Sequence, residues 1–403
     1  MPPVPATQPS ASVITTEGDI LAWLGSLGDT HEVLLPHHER DGAWRFRPLP
    51  APSPADAGAA LSPAGGYHPT QTPPGKVFAP ARDVLFTFRT TEDGAFEATP
   101  SLDATPRVLA GVRPCDVRAV HLMDAVNTDG HPDPHYLARR RAAVLVGYAC
   151  PAPCDDRCFC QAVGSLDARE GADVWLTPFG DALLADAHTP RGEALLATLE
   201  GRRCEPQSDE ATAARAQHRA ERPEPFGRQL VGPSEGGEPP APEEVFTALH
   251  AALSETWRSP LWAKHTERCL SCGTCNLVCP TCYCFDTFDE EDVSHPGCGE
   301  RCRTWDGCML PQFAEVAGGH SFRKTAAARQ RHRVKRKFEY LSARYAGTVH
   351  GGSFCVGCGR CGTQCTVDID IFDIARDLLR TAQGAGDAPN AALSAARAQG
   401  GAA

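Results

Sequence analysis

Short runs of apolar or alternating residues recur through the first half of the chain. Val84–Phe88, Arg107–Val112, Ala142–Tyr148, Val174–Pro178 and Ala182–Ala185 read as strands. Around them the apolar spacing lengthens to the helical period. Ile20, Leu21, Leu24 and Leu27 define a short helix over residues 19–28, and Val117–Ala125 and Arg191–Leu199 read the same way. Strands alternating with helices predict an α/β domain over residues 19–204. Residues 1–18, rich in Pro, Ser and Thr, predict a disordered tail, and residues 51–77, rich in Pro, Ala and Gly, a loop. Residues 205–242 are polar and rich in Pro and Gly, and read as a linker or surface loop. An amphipathic helix over Glu244–Trp257 then opens a second domain, residues 243–382, expected to be mainly α-helical and ferredoxin-like. Inside it, Arg323–Lys337 predicts a helix with eight Lys or Arg in fifteen residues. Residues 383–403 predict a second disordered tail.

The 403 residues suit two or three domains. A net charge of −11 argues against nucleic-acid binding by the whole chain, which needs a basic footprint. It also favours reading the basic segment as a solvated or partner-docking helix. The first residues, MPPVPATQPSASVITTEGD, lack a basic stretch leading into an apolar one, so no signal peptide is expected. No run of eighteen apolar residues predicts a membrane span. A cytoplasmic location is the expectation, where thiols stay free or bind metal. Cysteine then changes the picture: there are 19, an odd number, and 13 follow residue 260.

Two of the cysteine runs share one spacing. Cys269-Leu-Ser-Cys272-Gly-Thr-Cys275-Asn-Leu-Val-Cys279-Pro280 is C-x-x-C-x-x-C-x-x-x-C-P, the bacterial ferredoxin pattern. Three thiolates at intervals of three wrap one face of a cubane, and Gly273 relieves the tight turn. The second run, Cys355, Cys358, Cys361 and Cys365, repeats the spacing with Thr366 in place of the proline. Zinc or disulfides are the alternative, but zinc prefers two separated pairs. Two matched four-cysteine runs predict two 4Fe-4S clusters, each completed by the other run's last cysteine. One takes Cys269, Cys272, Cys275 and Cys365; the other takes Cys355, Cys358, Cys361 and Cys279. The second run also spells Gly357-x-Gly359-x-x-Gly362. It follows no strand and its intervening positions are ligands, so it is not a dinucleotide loop.

A third group lies in the α/β domain. Cys115 ends a predicted strand, and Cys150 leads into Cys154, Cys158 and Cys160. Loops at strand ends are where α/β folds build sites. Four of the five could hold a third cluster, with Cys115, Cys150, Cys158 and Cys160 the preferred set; unligated thiols or zinc are the alternatives. Arg113 and Asp116 are expected to shape this loop. Cys282, Cys284, Cys298, Cys302 and Cys308 read as buried free thiols near the clusters, with ligation the alternative. Cys204 stands alone and is expected to be inert.

GVRPCDVRAV, DPHYLARRRAAVLVGYAC, DRCFC, CLSCGTCNLVCPTCYCFD, RTWDGCML, FAEVAGGHSFR and CVGCGRC together resemble one family. It is the beta subunit of cytoplasmic sulfhydrogenases, the NAD(P)-linked nickel–iron hydrogenases, with the related iron–sulfur subunit of anaerobic sulfite reductase. The resemblance spans roughly residues 15–380. It implies a non-catalytic iron–sulfur subunit between a nickel–iron hydrogenase or sirohaem module and a flavin-containing NAD(P)H subunit. It implies the same N-terminal ligands, Cys115, Cys150, Cys158 and Cys160, with Cys154 an addition. Thr366 departs from the family's proline, which touches the exit of the chain rather than ligation. The competing expectation is a stand-alone reductase acting on a small substrate through the N-terminal domain. No nucleotide loop, catalytic triad or HExxH motif accompanies it.

Overall fold

A computed structural model gives the fold, and the structure describes residues 8–39, 41–49, 61, 69–232, 240–345 and 352–382. The strands are β1 (Ala11–Thr15), β2 (Glu32–His38), β3 (Trp44–Pro48), β4 (Arg82–Thr90), β5 (Phe96–Pro100), β6 (Arg107–Val112), β7 (Ala143–Tyr148), β8 (Val174–Phe179), β9 (Ala182–Ala187), β10 (Arg202–Cys204), β11 (Phe285–Glu291), β12 (Cys298–Trp305), β13 (Glu315–Val316) and β14 (His320–Ser321). The longer helices are α1 (Glu17–Ser26), α2 (Pro114–Thr128), α3 (Pro134–Ala142), α4 (Pro190–Leu196), α5 (Asp209–Ala220), α6 (Pro242–Glu255), α7 (Ala326–Lys335) and α8 (Ile371–Ala382).

The first half builds an eight-stranded sheet ordered β10-β1-β9-β8-β7-β6-β2-β3. Its centre, β2-β6-β7-β8, is parallel, and antiparallel strands flank it on both sides. Strand alternation assigns side chains to two cores. Val108, Ala110, Val144 and Val146 meet Ile20, Trp23 and Leu24 of α1 on one face. Leu109 and Leu145 meet Val117, Val120, Leu122 and Met123 of α2 on the other. Gly111, at φ +77°, shifts the β6–β7 register between Ala110 and Val112 and turns Val112 onto the α2 face. That bulge aims the end of β6 at the turn that begins α2 with Pro114 and Cys115.

The second half packs α6, α7 and α8 around Leu249, Leu253, Trp262, Val334, Ile374 and Leu378. Phe159, Ala162 and Val163, from the loop after β7, complete this core, so the halves share apolar packing. They also share a sheet, because β11-β12-β4-β5 takes two strands from each. The domain expected to be mainly α-helical therefore also carries strands. Its β11–β12 hairpin is polar and largely exposed, and such strands carry little apolar signal.

Other expectations need correction as well. Residues 8–18 are not a disordered tail: β1 pairs with β9 and β10, and Thr16 caps α1 through Asp19 in a reciprocal capping box. Residues 205–242 contain α5, whose Ala211 and Ala214 pack on Leu184 while Arg215 pairs with Asp186 at 2.8 Å. Alanine gives a buried face without much hydrophobic pattern. Of the expected 51–77 loop, only residues 61 and 69–77 are described, and Pro74–Val77 forms a 3-10 turn. Residues 383–403 lie outside the described residues. Among the described residues, no helix is long and apolar enough to cross a membrane.

Candidate functional site

The C-terminal ends of β6 and β7 adjoin, and the N-terminal cysteines gather there. Cys115 sits in the first turn of α2, and Cys150 follows β7 by two residues. Cys160 lies close enough to Cys158, Cys115 and Cys150 for their charges to push its thiol up, after the larger effects of a hydrogen bond to Cys158 and burial. Cys115, Cys150, Cys158 and Cys160 are all buried, whereas Cys154 is half-buried beside Trp44.

Cys269, Cys272, Cys275 and Cys365 line one pocket. The last cysteine of the second run thus stands with the first three of the first run. Gly273 has φ +77° and Gly359 has φ +79°, so both runs make the same left-handed turn after their second cysteine. Cys279 sits with the opposite run: its charge raises the thiols of Cys355, Cys358 and Cys361, secondary in each case to burial. The groups also abut one another. Cys361 acts on Cys275, and Cys358 acts on Cys115.

Gly357 and Gly359 let the second run lie directly on the N-terminal cysteine loop. A Cβ on Gly357 would stand 2.7 Å from the Phe159 carbonyl, and one on Gly359 2.9 Å from the Arg157 carbonyl carbon. Phe159 N donates to Gly357 O at 2.7 Å across this contact. The glycine pattern that imitates a dinucleotide loop is thus a backbone-to-backbone joint.

The surrounding charge is cationic and buried. Arg333 is buried with Cys275, Cys361, Cys279 and Cys282 as its anionic neighbours, and donates to Cys275 O at 3.4 Å. Lys337 donates to Thr281 O at 2.8 Å and Oγ1 at 2.7 Å. It belongs to the π-helical turn Arg336–Tyr340 that interrupts the helix after α7. Arg360 makes a bidentate pair with Asp116 at 2.7 and 2.8 Å between the second run and α2. Arg118 donates to Ser353 O at 2.8 Å near Cys355, and burial lowers its guanidinium to about 10.

As free thiols Cys275 and Cys358 would be neutral, since burial pushes them up to about 12. The donor set and the spacing point to what would ionise them. A single tetrahedral ion with bonds of ~2.3 Å draws its sulfurs to within about 4 Å of one another. Among the described residues, the only three candidate ligand atoms within 4.8 Å of one another are those of Glu290, Glu300 and Cys302. Arg82 already neutralises that acidic pair. Among the described residues no cysteine group is gathered closely enough for one ion, and the repeated C-x-x-C-x-x-C-x-x-x-C spacing is that of a polynuclear cluster.

Residues 268–369 match the family model described as 4Fe-4S dicluster domain. Sulfhydrogenase 2 subunit beta of Pyrococcus furiosus is 31% identical over 310 residues, covering 75% of this chain and 82% of that protein. The chain belongs to the sulfhydrogenase beta-subunit family. No solved structure matches it.

In this member of the sulfhydrogenase beta-subunit family, the basic segment is the residue set that sequence reasoning misjudged. Its helix is present as α7, but Arg329, Arg333, Lys335 and Lys337 are buried rather than solvated. A run of cations reads as surface unless its counter-charge is known, and for Arg333 and Lys337 that charge lies on cysteines from both ferredoxin-like runs, distant in the chain on either side. The five unassigned cysteines of the second half divide. Cys298 and Cys302 lie on β12, while Cys282, Cys284 and Cys308 line a separate cavity with Asn276.

Proposed function

We propose that the chain is the electron-transferring iron–sulfur component of a multi-subunit oxidoreductase. It relays single electrons between a catalytic module, which is a nickel–iron hydrogenase or a sulfur- or sulfite-reducing unit, and a flavin-containing NAD(P)H subunit. The observation that carries this reading is the adjacency of the cysteine groups: the N-terminal set adjoins Cys358, and Cys361 adjoins Cys275. Adjacent one-electron sites suit a relay.

In this reading Cys269, Cys272, Cys275 and Cys365 hold one 4Fe-4S cluster, and Cys355, Cys358, Cys361 and Cys279 hold a second. A third is held by Cys115, Cys150, Cys158 and Cys160. When bound, the clusters supply one-electron redox chemistry, at potentials set by burial, charge and hydrogen bonds to sulfur. The chain's own residues supply those controls. Arg333 places positive charge between the two ferredoxin-like groups, and Lys337 places it beside Cys279 and Cys355, which stabilises added negative charge there. The Ser271 amide, 3.4 Å from Cys269 Sγ, donates a hydrogen bond to it, and the Thr274 hydroxyl lies 3.3 Å from Cys272 Sγ. The Gly357–Phe159 joint holds the second run's backbone against the N-terminal set.

Iron and acid-labile sulfide per chain, with electron paramagnetic resonance of the reduced protein, test the cofactor content. At least eight or so iron atoms are expected from the two ferredoxin-like groups and about twelve with the N-terminal set. Co-purification with a flavoprotein and a metal-bearing subunit tests the relay. An isolated chain that oxidises NAD(P)H or hydrogen at the rate of the complex would overturn it in favour of a stand-alone reductase.

A further inference from the structure

Cys282 and Cys284, from one segment of chain, and Cys308, from another, line one pocket. Cys282 and Cys284 follow the first ferredoxin-like run after Pro280, and Cys308 follows β12. Asn276 ties the set together. Its Nδ2 lies 3.4 Å from Cys308 Sγ and 3.7 Å from Cys282 Sγ, while its Oδ1 accepts from Met309 N at 3.0 Å. The Asn276 amide is thereby fixed with its donor side toward sulfur. Gly307 is moulded to the same residue, since a Cβ there would stand 2.7 Å from Asn276 Cβ.

Neutral thiols packed as small apolar groups would need none of this. They would not call for an amide donor directed at two of them, nor for cations around the cavity. Arg336 and Lys337 both line it. Arg336 serves this set in particular: its anionic neighbours are Tyr283, Cys284, Cys282 and Cys308, and it lies over the Tyr283 ring at 5.2 Å. Lys76, from the first half of the chain, reaches in to donate to Cys282 O at 2.7 Å. The three sulfurs do not fall within 4.8 Å of one another, so one metal ion cannot bind all three in this arrangement.

We propose that Cys282, Cys284 and Cys308 are the ligands of a further iron–sulfur cluster, distinct from both ferredoxin-like groups and from the N-terminal set. Among the described residues, the lining of this cavity offers no fourth cysteine, so one corner of a cubane would lack a thiolate from it. Cys282 and Cys284 also line a second cleft with Lys76, Asp133 and Arg303. This places the site between Cys279, which hydrogen-bonds with Cys282, and the surface.

The test uses the full chain, purified without oxygen and reconstituted with ferrous iron and sulfide. A Cys115→Ala/Cys158→Ala variant removes the N-terminal set, so that only the ferredoxin-like groups and the proposed site remain. About twelve iron atoms per chain in that variant support the site, and about eight overturn it while leaving the relay reading intact. Adding Cys284→Ser and Cys308→Ser should lower the count by about four and abolish one paramagnetic signal, with the ferredoxin-like signals retained. Mild oxidation with ferricyanide supplies a readout in the unmutated chain. A cubane with three thiolates loses its unanchored iron and gives the signal of a three-iron cluster. That signal should be absent from a Cys284→Ser/Cys308→Ser variant, and its persistence there would overturn the assignment.

Discussion

Cys272 in the first run and Cys358 in the second occupy the same position of the same motif, yet their surroundings are opposite. Cys272 is exposed and its neighbour Leu270 is 65% exposed, whereas Cys358 is buried at 8%. Two residues on from each, Thr274 is a half-buried hydroxyl against sulfur, whereas Arg360 is a buried cation locked to Asp116. Spacing determines what a run can hold. Surroundings determine whether it faces the outside or passes charge within the protein.

The sharpest way to break this comparison is to exchange the runs' last cysteines. Cys279→Ser should cost about four iron atoms and remove the signal of the buried group, although Cys279 belongs to the exposed run. Cys365→Ser should do the converse. Signals lost in the opposite pattern would show that each run closes on itself.

Next comes the contrast between Asp116 and Thr274. Asp116→Asn breaks a buried ion pair and should lower unfolding stability by about 3–5 kcal/mol in urea denaturation. Replacing both partners, as Asp116→Leu with Arg360→Met, should recover most of that. Thr274→Ala, at the first run's matching position, should cost no more than ~1 kcal/mol.

The glycines sharpen the same point. An alanine at Gly359 meets the fixed backbone of Arg157 and Cys158, so Gly359→Ala should cost about 2–4 kcal/mol. Gly273→Ala meets the movable Leu310 side chain and should cost about 1–2 kcal/mol. Equal costs would mean that the two turns are equally packed.

The smallest effect lies far from both runs. His218 Nδ1 donates to Pro178 O at 3.0 Å and Nε2 accepts from Arg222 at 3.2 Å, an arrangement that requires neutral imidazole. Burial, and then Arg222, hold its pKa down to about 4. The unfolded chain therefore binds this proton first. The contribution is fully present above pH ~6.5 and is lost as pH falls toward about 4, on the order of 1–2 kcal/mol. His218→Gln should flatten that dependence in thermal unfolding scans without altering the spectrum of either ferredoxin-like group.

Legibility in the sequence followed the physics of each element. Arg107–Val112 reads directly as β6 because it is buried on both faces and almost wholly apolar. The cysteine runs are legible because ligation fixes their spacing. β2 is not, because Pro36 and two histidines interrupt its pattern. The β11–β12 hairpin is not, because its partner β4 is some two hundred residues away and the sheet they form stays wet. The burial of Arg333 and Lys337 is hidden for a related reason: only the fold brings cysteine against them. Gly357 and Gly359 were visible as a pattern, but the backbone they approach belongs to residues 157–160.

The sheet shared between the halves has a consequence for how the protein is made. β4 ends at Thr90, and its neighbour β12 begins only at Cys298. At a synthesis rate of ~5–20 residues per second, the ribosome needs on the order of 10–40 seconds to deliver the missing strand. Throughout that interval the nascent chain displays an open strand edge. Arg82 and Arg89 on β4 put positive charge along that edge, a feature that discourages pairing with a wrong neighbour. Shielding by a chaperone, or pausing before residue 298, would bear on yield more than any property of the finished fold.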